Sequence, residues 1–312
     1  MALVLALALM ALFVVLGMAF VRHMKVENDQ AAYQFEELRA EQTAEAGVYA
    51  AIGDLRRAMD AQQVLQVTAQ PRSYVLPAYK GIRNGQGLTL EAANNFKASA
   101  AVTISDESGK VNLNHAPASV LQVILGVDGD TARAIAARLP RTNGNPADGA
   151  VPKWLASADD LVTYGLLTQA QFAAINPALI TTFTVTNHVN PTGFLNVNAA
   201  PAEVLAAVLD VPLDVAKKAL AQRPFVSLAA LSAAVEKDPS TFNIKPDISD
   251  PAALPAALSF ESRCFRIVSD AAYAAVKDKS EDALARAKVE AVVLFKPEGG
   301  YEIVSWSAQR GA

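Results

Sequence analysis

Cysteine is nearly absent: one residue, Cys264, in a chain of 312. That excludes an intrachain disulfide framework and a thiolate zinc cage. The expected place for Cys264 is a small buried position in the apolar run Cys264–Val268. Histidine is almost as scarce, and His23, His115 and His188 lie too far apart to form a metal site by spacing. Ser105, Ser227 and Ser232 lack the glycine elbow and the His/Asp partners of a nucleophile. There is no P-loop and no dinucleotide turn. Without a convergent catalytic set, the chain reads as a non-enzyme that needs no cofactor. Basic excess is missing too, since 27 Lys and Arg stand against 31 Asp and Glu for a net charge of -4. A protein built to grip phosphates carries the opposite balance. Aromatics are 7% while hydrophobic residues reach 52%, much of this alanine, which favours helix but fills a core poorly.

What is abundant is apolar sequence at the start. Ala2 to Val21 (ALVLALALMALFVVLGMAFV) has twenty residues without charge or proline. As a helix it spans roughly 30 Å, the thickness of a bilayer core. Its Leu, Val and Phe residues favour insertion by roughly 4–7 kcal/mol. The run is longer than the apolar region of a cleaved signal peptide and has no basic start, so a retained transmembrane helix is expected over residues 1–24. Arg22, His23 and Lys25 follow the span, which on a simple positive-inside reading keeps the bulk of the chain in the cytoplasm.

No proline occurs from Val26 to Gln63, and Tyr33, Leu38, Ala44, Val48, Ala51, Ile52 and Leu55 form an amphipathic stripe. Span and stripe together predict one helix of about sixty residues, in which Gly47 and Gly53 read as tolerated interruptions. Pro71 to Gly87 reads as a loop, Ser99–Ser105 as a strand, and Asp106–Gly109 as the turn that closes it. Further strands are expected at Ala178–Thr186, Phe265–Ser269, Val289–Phe295 and Tyr301–Ser307, the last two joined by a hairpin turn at Lys296–Gly300. The expected fold class is α+β: a long N-terminal helix on an antiparallel sheet, with an all-helical domain inserted between strands. The divisions are 1–24 for the transmembrane helix, 25–109 for the amphipathic helix and first strand, 110–236 for the insertion, and 237–312 for the strands that complete the sheet.

Inside the insertion the sequence repeats itself. Residues 111–127 read VNLNHAPASVLQVILGV and residues 195–211 read LNVNAAPAEVLAAVLDV. The repeat blocks cover 111–139 and 195–223. Each opens on N-x-N, Asn112 and Asn114 in one and Asn196 and Asn198 in the other, whose side chains can bond nearby backbone and set the turn into a helix. Pro117 and Pro201 suit a first helical turn. Val120, Leu121, Ile124 and Leu125 match Val204, Leu205, Val208 and Leu209 as a buried stripe. After the first copy, Gly126-Val-Asp-Gly129 leads into a second short helix. This resembles the helix-hairpin-helix module, in which a glycine turn offers backbone N–H groups to a phosphate. The run Asn112–Pro117 also resembles competence-type DNA receptors. Against DNA binding, Asp128 and Asp130 occupy the first hairpin, and the second hairpin has no glycine and carries Pro212. The repeats therefore read as structural, and no nucleic-acid partner is expected.

Motifs along the whole chain resemble one family. In order they are the apolar N-terminal helix, AEAGVYAAIGDL from Ala44, SDESGKVNLNHAP from Ser105, FLNVNAAPAEVL from Phe194 followed by ALAQRPFVSLAAL, SFESRCFRIVSDA from Ser259, and the C-terminal hairpin. They resemble the K-class minor pseudopilin of type II secretion systems, general secretion pathway protein K. The resemblance implies a pilin-like domain interrupted by a helical one. It implies residence in the bacterial inner membrane by a single pass, with the C-terminal bulk in the periplasm. It implies a place at the tip of the pseudopilus with I-class and J-class minor pseudopilins as partners, the H class as a further candidate, and contact with the secretin or with cargo. Such a subunit helps initiate or cap assembly and supports protein export. A membrane-anchored DNA receptor and a type IV pilus tip minor pilin are the alternatives. Pilins carry a glutamate near the start of the apolar helix, and the K class lacks it. Here position 5 is Leu5, and the first acid is Glu27. A carboxylate in hydrocarbon costs a few kcal/mol unless paired, and a tip subunit has no preceding amine to pair with. Because members of this class bind calcium, Asp128, Asp130, Asp159 and Asp160 are candidate ligands, although Asp159-Asp160 also suits a helix start. The family begins with a short basic leader ending in Gly. Such residues are expected to be encoded just upstream of Met1, and they would hold the N-terminus in the cytoplasm.

Overall fold

The computed structural model describes residues 2–60, 72–76, 79–84, 87–92, 96–139, 154–183, 195–243, 258–277, 280–296 and 299–311. Side chains are described for these except at 2, 4–6, 8, 11, 75–76, 79–84, 87–92, 96, 275–277 and 280–284.

Helix α1, Ala2–Asp60, runs unbroken for 59 residues, as its proline-free sequence predicts. Its first part carries exposed apolar side chains, Leu7, Leu12, Phe13 and Phe20 among them. Among the described residues no helix is long and apolar enough to cross a membrane. The expected span includes six positions whose side chains lie outside those described.

The second half of α1 packs on a five-stranded antiparallel sheet. Its strands are β1 (Arg72–Leu76), β4 (Phe96–Asp106), β9 (Cys264–Lys277), β10 (Ser280–Phe295) and β11 (Tyr301–Arg310), in that spatial order. A separate hairpin joins β2 (Tyr79–Asn84) to β3 (Gly87–Ala92). The helix buries Ala40, Ala44, Val48, Ala51, Ile52, Leu55 and Ala58 against Ala100, Val102, Ile267, Val289 and Ala291. Small residues on both surfaces let helix and sheet approach closely, and Gly47 sits where no side chain fits between them. A Cβ there would lie 2.8 Å from the Cβ of Ala100 and collide with Ser269 Oγ. Gly47 is therefore required rather than merely tolerated, which corrects the sequence expectation. Asp54 anchors the helix to the sheet edge by accepting bonds from Tyr74 Oη and an Arg72 guanidinium nitrogen, each 2.7 Å.

Pro71–Gly87 is a second correction, since strands β1 and β2 occupy most of the expected loop. RSYVL has strand-forming residues, and β4 supplies the pairing that local sequence cannot show. The C-terminal strands also run longer than expected. β9 continues through Asp270–Lys277, an alanine-rich stretch of poor strand propensity held between β4 and β10. At Ala178–Thr186 only Ile180–Thr181 is strand (β6), behind a 3-10 turn at Pro177–Leu179, and residues 184–186 lie outside those described.

The insertion leaves the sheet at Asp106 and returns at Cys264, strands β4 and β9 being hydrogen-bonded neighbours. It holds α2 (Ala118–Leu125), α3 (Gly129–Arg138), α4 (Asp160–Thr163), α5 (Gln169–Ala173), α6 (Ala202–Leu209), α7 (Leu213–Leu220) and α8 (Leu228–Val235). It is not all-helical. Two-residue parallel pairs join β5 (Val111–Asn112) to β6 and β7 (Leu195–Asn196) to β8 (Leu258–Ser259). Its core is distinct from the helix–sheet core and is built from the repeat stripes, Val120, Leu121, Ile124 and Leu125 with Val204, Leu205, Val208 and Leu209.

Candidate functional site

Residues Asp106–Lys110 form the turn on which the sheet and both repeats meet. The Glu107 N–H donates to the Cys264 carbonyl at 2.9 Å, so the two ends of the insertion touch. Ser108 Oγ accepts from the Cys264 N–H at 3.0 Å and the Arg263 N–H at 3.2 Å. Its carbonyl accepts from the Asn196 N–H at 2.7 Å. Gly109 lies against the second repeat, where a Cβ would be 2.5 Å from the Ala199 carbonyl carbon. Glu107 is fully buried, and its Oε1 accepts from Lys110 Nζ at 2.5 Å and Arg266 Nε at 3.0 Å. Arg266 also pairs with Glu290. Burial opposes the Glu107 charge, but attraction and hydrogen bonding from Lys110, with Arg266, outweigh it and hold the carboxyl below its usual range. Desolvation, with no cation contact among the described residues to oppose it, pushes the Asp106 carboxyl up to about 6, against hydrogen bonds from Ser262 and Ser108.

The N-x-N pairs work alike in the two copies. The first asparagine closes a local turn: Asn112 Oδ1 accepts from the Asn114 N–H and Asn196 Oδ1 from the Asn198 N–H, both 2.9 Å. The second asparagine clamps a distant backbone segment from both sides. Asn114 Nδ2 donates to the Leu155 carbonyl at 3.0 Å, and its Oδ1 accepts from the Leu155 N–H at 2.9 Å. Asn198 does the same with Phe225 at 2.9 and 2.7 Å and also donates to the Phe260 carbonyl at 3.1 Å. Pro117 and Pro201 stand as N-caps, one position before the helices in which they were expected. Arg223 closes the second copy by donating to the Val197 and Ala200 carbonyls. Burial lowers its guanidinium to about 10, leaving it charged at neutral pH.

Sequence reading missed the partners of the clamps. Leu155 and Phe225 follow their asparagines by 41 and 27 residues, and this unequal spacing hides the correspondence. The signal that remains is short: Leu155-x-Ser157-x-x-x-Leu161 beside Phe225-x-Ser227-x-x-x-Leu231, in which both leucines are fully buried.

The hairpin acids serve the chain itself. Asp128 caps α3, Oδ1 accepting from the Asp130 and Thr131 N–H groups at 2.9 Å and Oδ2 from the Thr131 hydroxyl at 2.8 Å. The Asp130 and Thr131 N–H groups are thereby withdrawn from any phosphate at the helix start. Hydrogen bonds from Thr131 hold the Asp128 carboxyl below its usual range. Asp130 pairs with Arg133. Asp160 accepts from the Ala156 and Ser157 N–H groups at 2.7 and 3.1 Å, and Asp159 precedes it as the N-cap of α4. Among the described residues, no group of three or more His, Cys, Asp or Glu side chains is placed to hold a metal ion. Leu5 lies in α1 with its side chain outside those described.

Cys264 is 1% exposed, and burial, with Glu107 and Asp106 nearby, pushes its thiol well above the usual range. The folded protein is expected to react with a disulfide reagent at pH 8 at least ~100-fold more slowly than the unfolded chain. Equal rates would contradict the burial.

Residues 195–245 match the family model for type II secretion system (T2SS), protein K. No curated protein matches the chain. Among solved structures, the fold matches a chain in the crystal structure of the GspK–GspI–GspJ complex from the enterotoxigenic Escherichia coli type 2 secretion system. The TM-score is 0.52 at 17% identity, over 91% of this chain and 99% of that one. The family match falls on the second repeat, in the class that the order of motifs resembles, and the likeness to the solved chain is one of fold along nearly the whole length.

Proposed function

We propose that this protein is a non-enzymatic tip subunit of a type II secretion pseudopilus, anchored in the inner membrane by the start of α1 with its C-terminal bulk in the periplasm. The observation that supports this most is the family match at 195–245, which falls on the second repeat and its clamp. That repeat is joined to a helix-on-sheet body at the Asp106–Lys110 turn. On this reading residues 1–24 are the anchor, 25–106 and 264–312 the pilin-like body, and the insertion between Asp106 and Cys264, rather than 110–236 alone, a cap that enlarges the end of the fibre. The absence of a glutamate at position 5 suits a subunit with no predecessor to pair with. I- and J-class minor pseudopilins are the partners we assign, since the matched structure is a GspK–GspI–GspJ complex.

The test is made in the native cell. Deleting the gene should abolish export of the secreted enzymes while leaving them folded in the periplasm, and a plasmid copy should restore export. Normal export without the protein would overturn the proposal.

A further inference from the structure

The Asp106–Lys110 junction holds more carboxylates than cations. Asp106, Glu107 and Glu290 face Lys110 and Arg266, and both cations contact Glu107. Arg263, on the segment before β9, pairs with Glu261 instead. Among the described residues, the further titratable neighbour Cys264 is a buried neutral thiol. Asp106 therefore has no ion pair among the described residues. Its carboxylate is held by hydrogen bonds alone: Oδ1 accepts from the Ser108 N–H at 2.8 Å, Oδ2 accepts from the Ser262 hydroxyl, and the Ser108 side chain adds to them. Ser262 Oγ in turn accepts from Asn196 Nδ2 at 2.6 Å. This relay runs from the second repeat to the end of β4, so the unpaired acid sits where the insertion is fastened to the sheet.

We propose that Asp106 is a proton-sensitive latch, whose protonation tightens the attachment of the second helical repeat to the pilin-like sheet and whose ionisation loosens it. An ionised carboxylate held beside Glu107 without a cation is under electrostatic strain, and the strain is relieved either by taking up a proton or by opening the junction to water. The junction carboxyl titrates at about 6, against 3.8 for an exposed aspartate. The closed form thus binds the proton more tightly. Closure is favoured most below pH ~4 and weakens as pH rises through ~6. Glu107 shifts the other way, its carboxyl lying below the usual range, so between pH 5 and 7.5 Asp106 is the junction group that changes charge.

Hydrogen exchange of the full-length protein in detergent tests this, with rates corrected for intrinsic exchange at each pH. Opening at residues 195–200 should rise about tenfold from pH 5.0 to 7.5, while residues 48–55 of α1 stay unchanged. Asp106→Asn should abolish the pH dependence. Ser262→Ala keeps the acid but removes a bond to its ionised form, and should move the midpoint to higher pH. Equal protection of the native protein at both pH values, a tenfold change that survives in Asp106→Asn, or an unmoved midpoint in Ser262→Ala overturns the proposal.

Discussion

Gly109→Ala should destabilise the protein by about 3 kcal/mol or more, enough to detach the second repeat from the sheet. The added Cβ would lie 2.5 Å from the Ala199 carbonyl carbon, 2.6 Å from its oxygen and 2.8 Å from the Ala200 nitrogen. These are backbone atoms, not the far end of a side chain, and the loop that carries them is tied down. The Asn196 carbonyl accepts from the Ala199 and Ala200 N–H groups, and Arg223 binds the Ala200 carbonyl. Relief requires moving the repeat as a whole. Gly53→Ala is the matched control, since its Cβ meets nothing within 4 Å on α1, and helix propensity predicts a gain of up to about 1 kcal/mol. Urea denaturation measures both. A Gly109→Ala protein as stable as the parent would show that the turn does not bear on the repeat.

Asn198→Ala should cost about 3–5 kcal/mol, and more than Asn114→Ala. Removing the Asn198 amide leaves the Phe225 N–H, the Phe225 carbonyl and the Phe260 carbonyl without the partner they have at 2.7, 2.9 and 3.1 Å. Asn114 leaves only the two Leu155 groups. Each buried group stranded in this way costs about 1–3 kcal/mol, which sets both the size and the order of the effects. Asn198→Asp does not rescue the site, because a carboxylate can accept from the Phe225 N–H but faces two carbonyls with no proton to offer. Equilibrium denaturation of the three variants gives the ranking. A reversal, with Asn114→Ala the more damaging, would mean that the third bond carries nothing.

The parts of this fold legible in the sequence are those whose cause is local. The 59-residue helix follows from a proline-free amphipathic run, and the buried stripes at Val120–Leu125 and Val204–Leu209 follow from helical spacing. The burial of Cys264 also follows from its apolar neighbours. What was hidden depends on a partner distant in sequence. β1 exists because β4 pairs with it, and the tail of β9 because two neighbours hold its alanines in register. Gly47 and Gly109 look alike on paper to Gly53, and only the surface pressed against each separates the required from the dispensable. The candidate site divides the same way. Asn112, Asn114, Asn196 and Asn198 stand out by repetition, while Leu155, Phe225, Ser262 and Arg266 do not, because they are found only by what the chain brings back to them.

The reading that this protein assembles with two pilin-like chains is tested most directly by mixing the detergent-solubilised full-length protein with the I- and J-class minor pseudopilins of the same cell. Size-exclusion with light scattering then gives the mass of what elutes. The account predicts a stable complex of all three that persists at high salt. A protein that stays apart from both and instead retards a DNA duplex at low salt would contradict it.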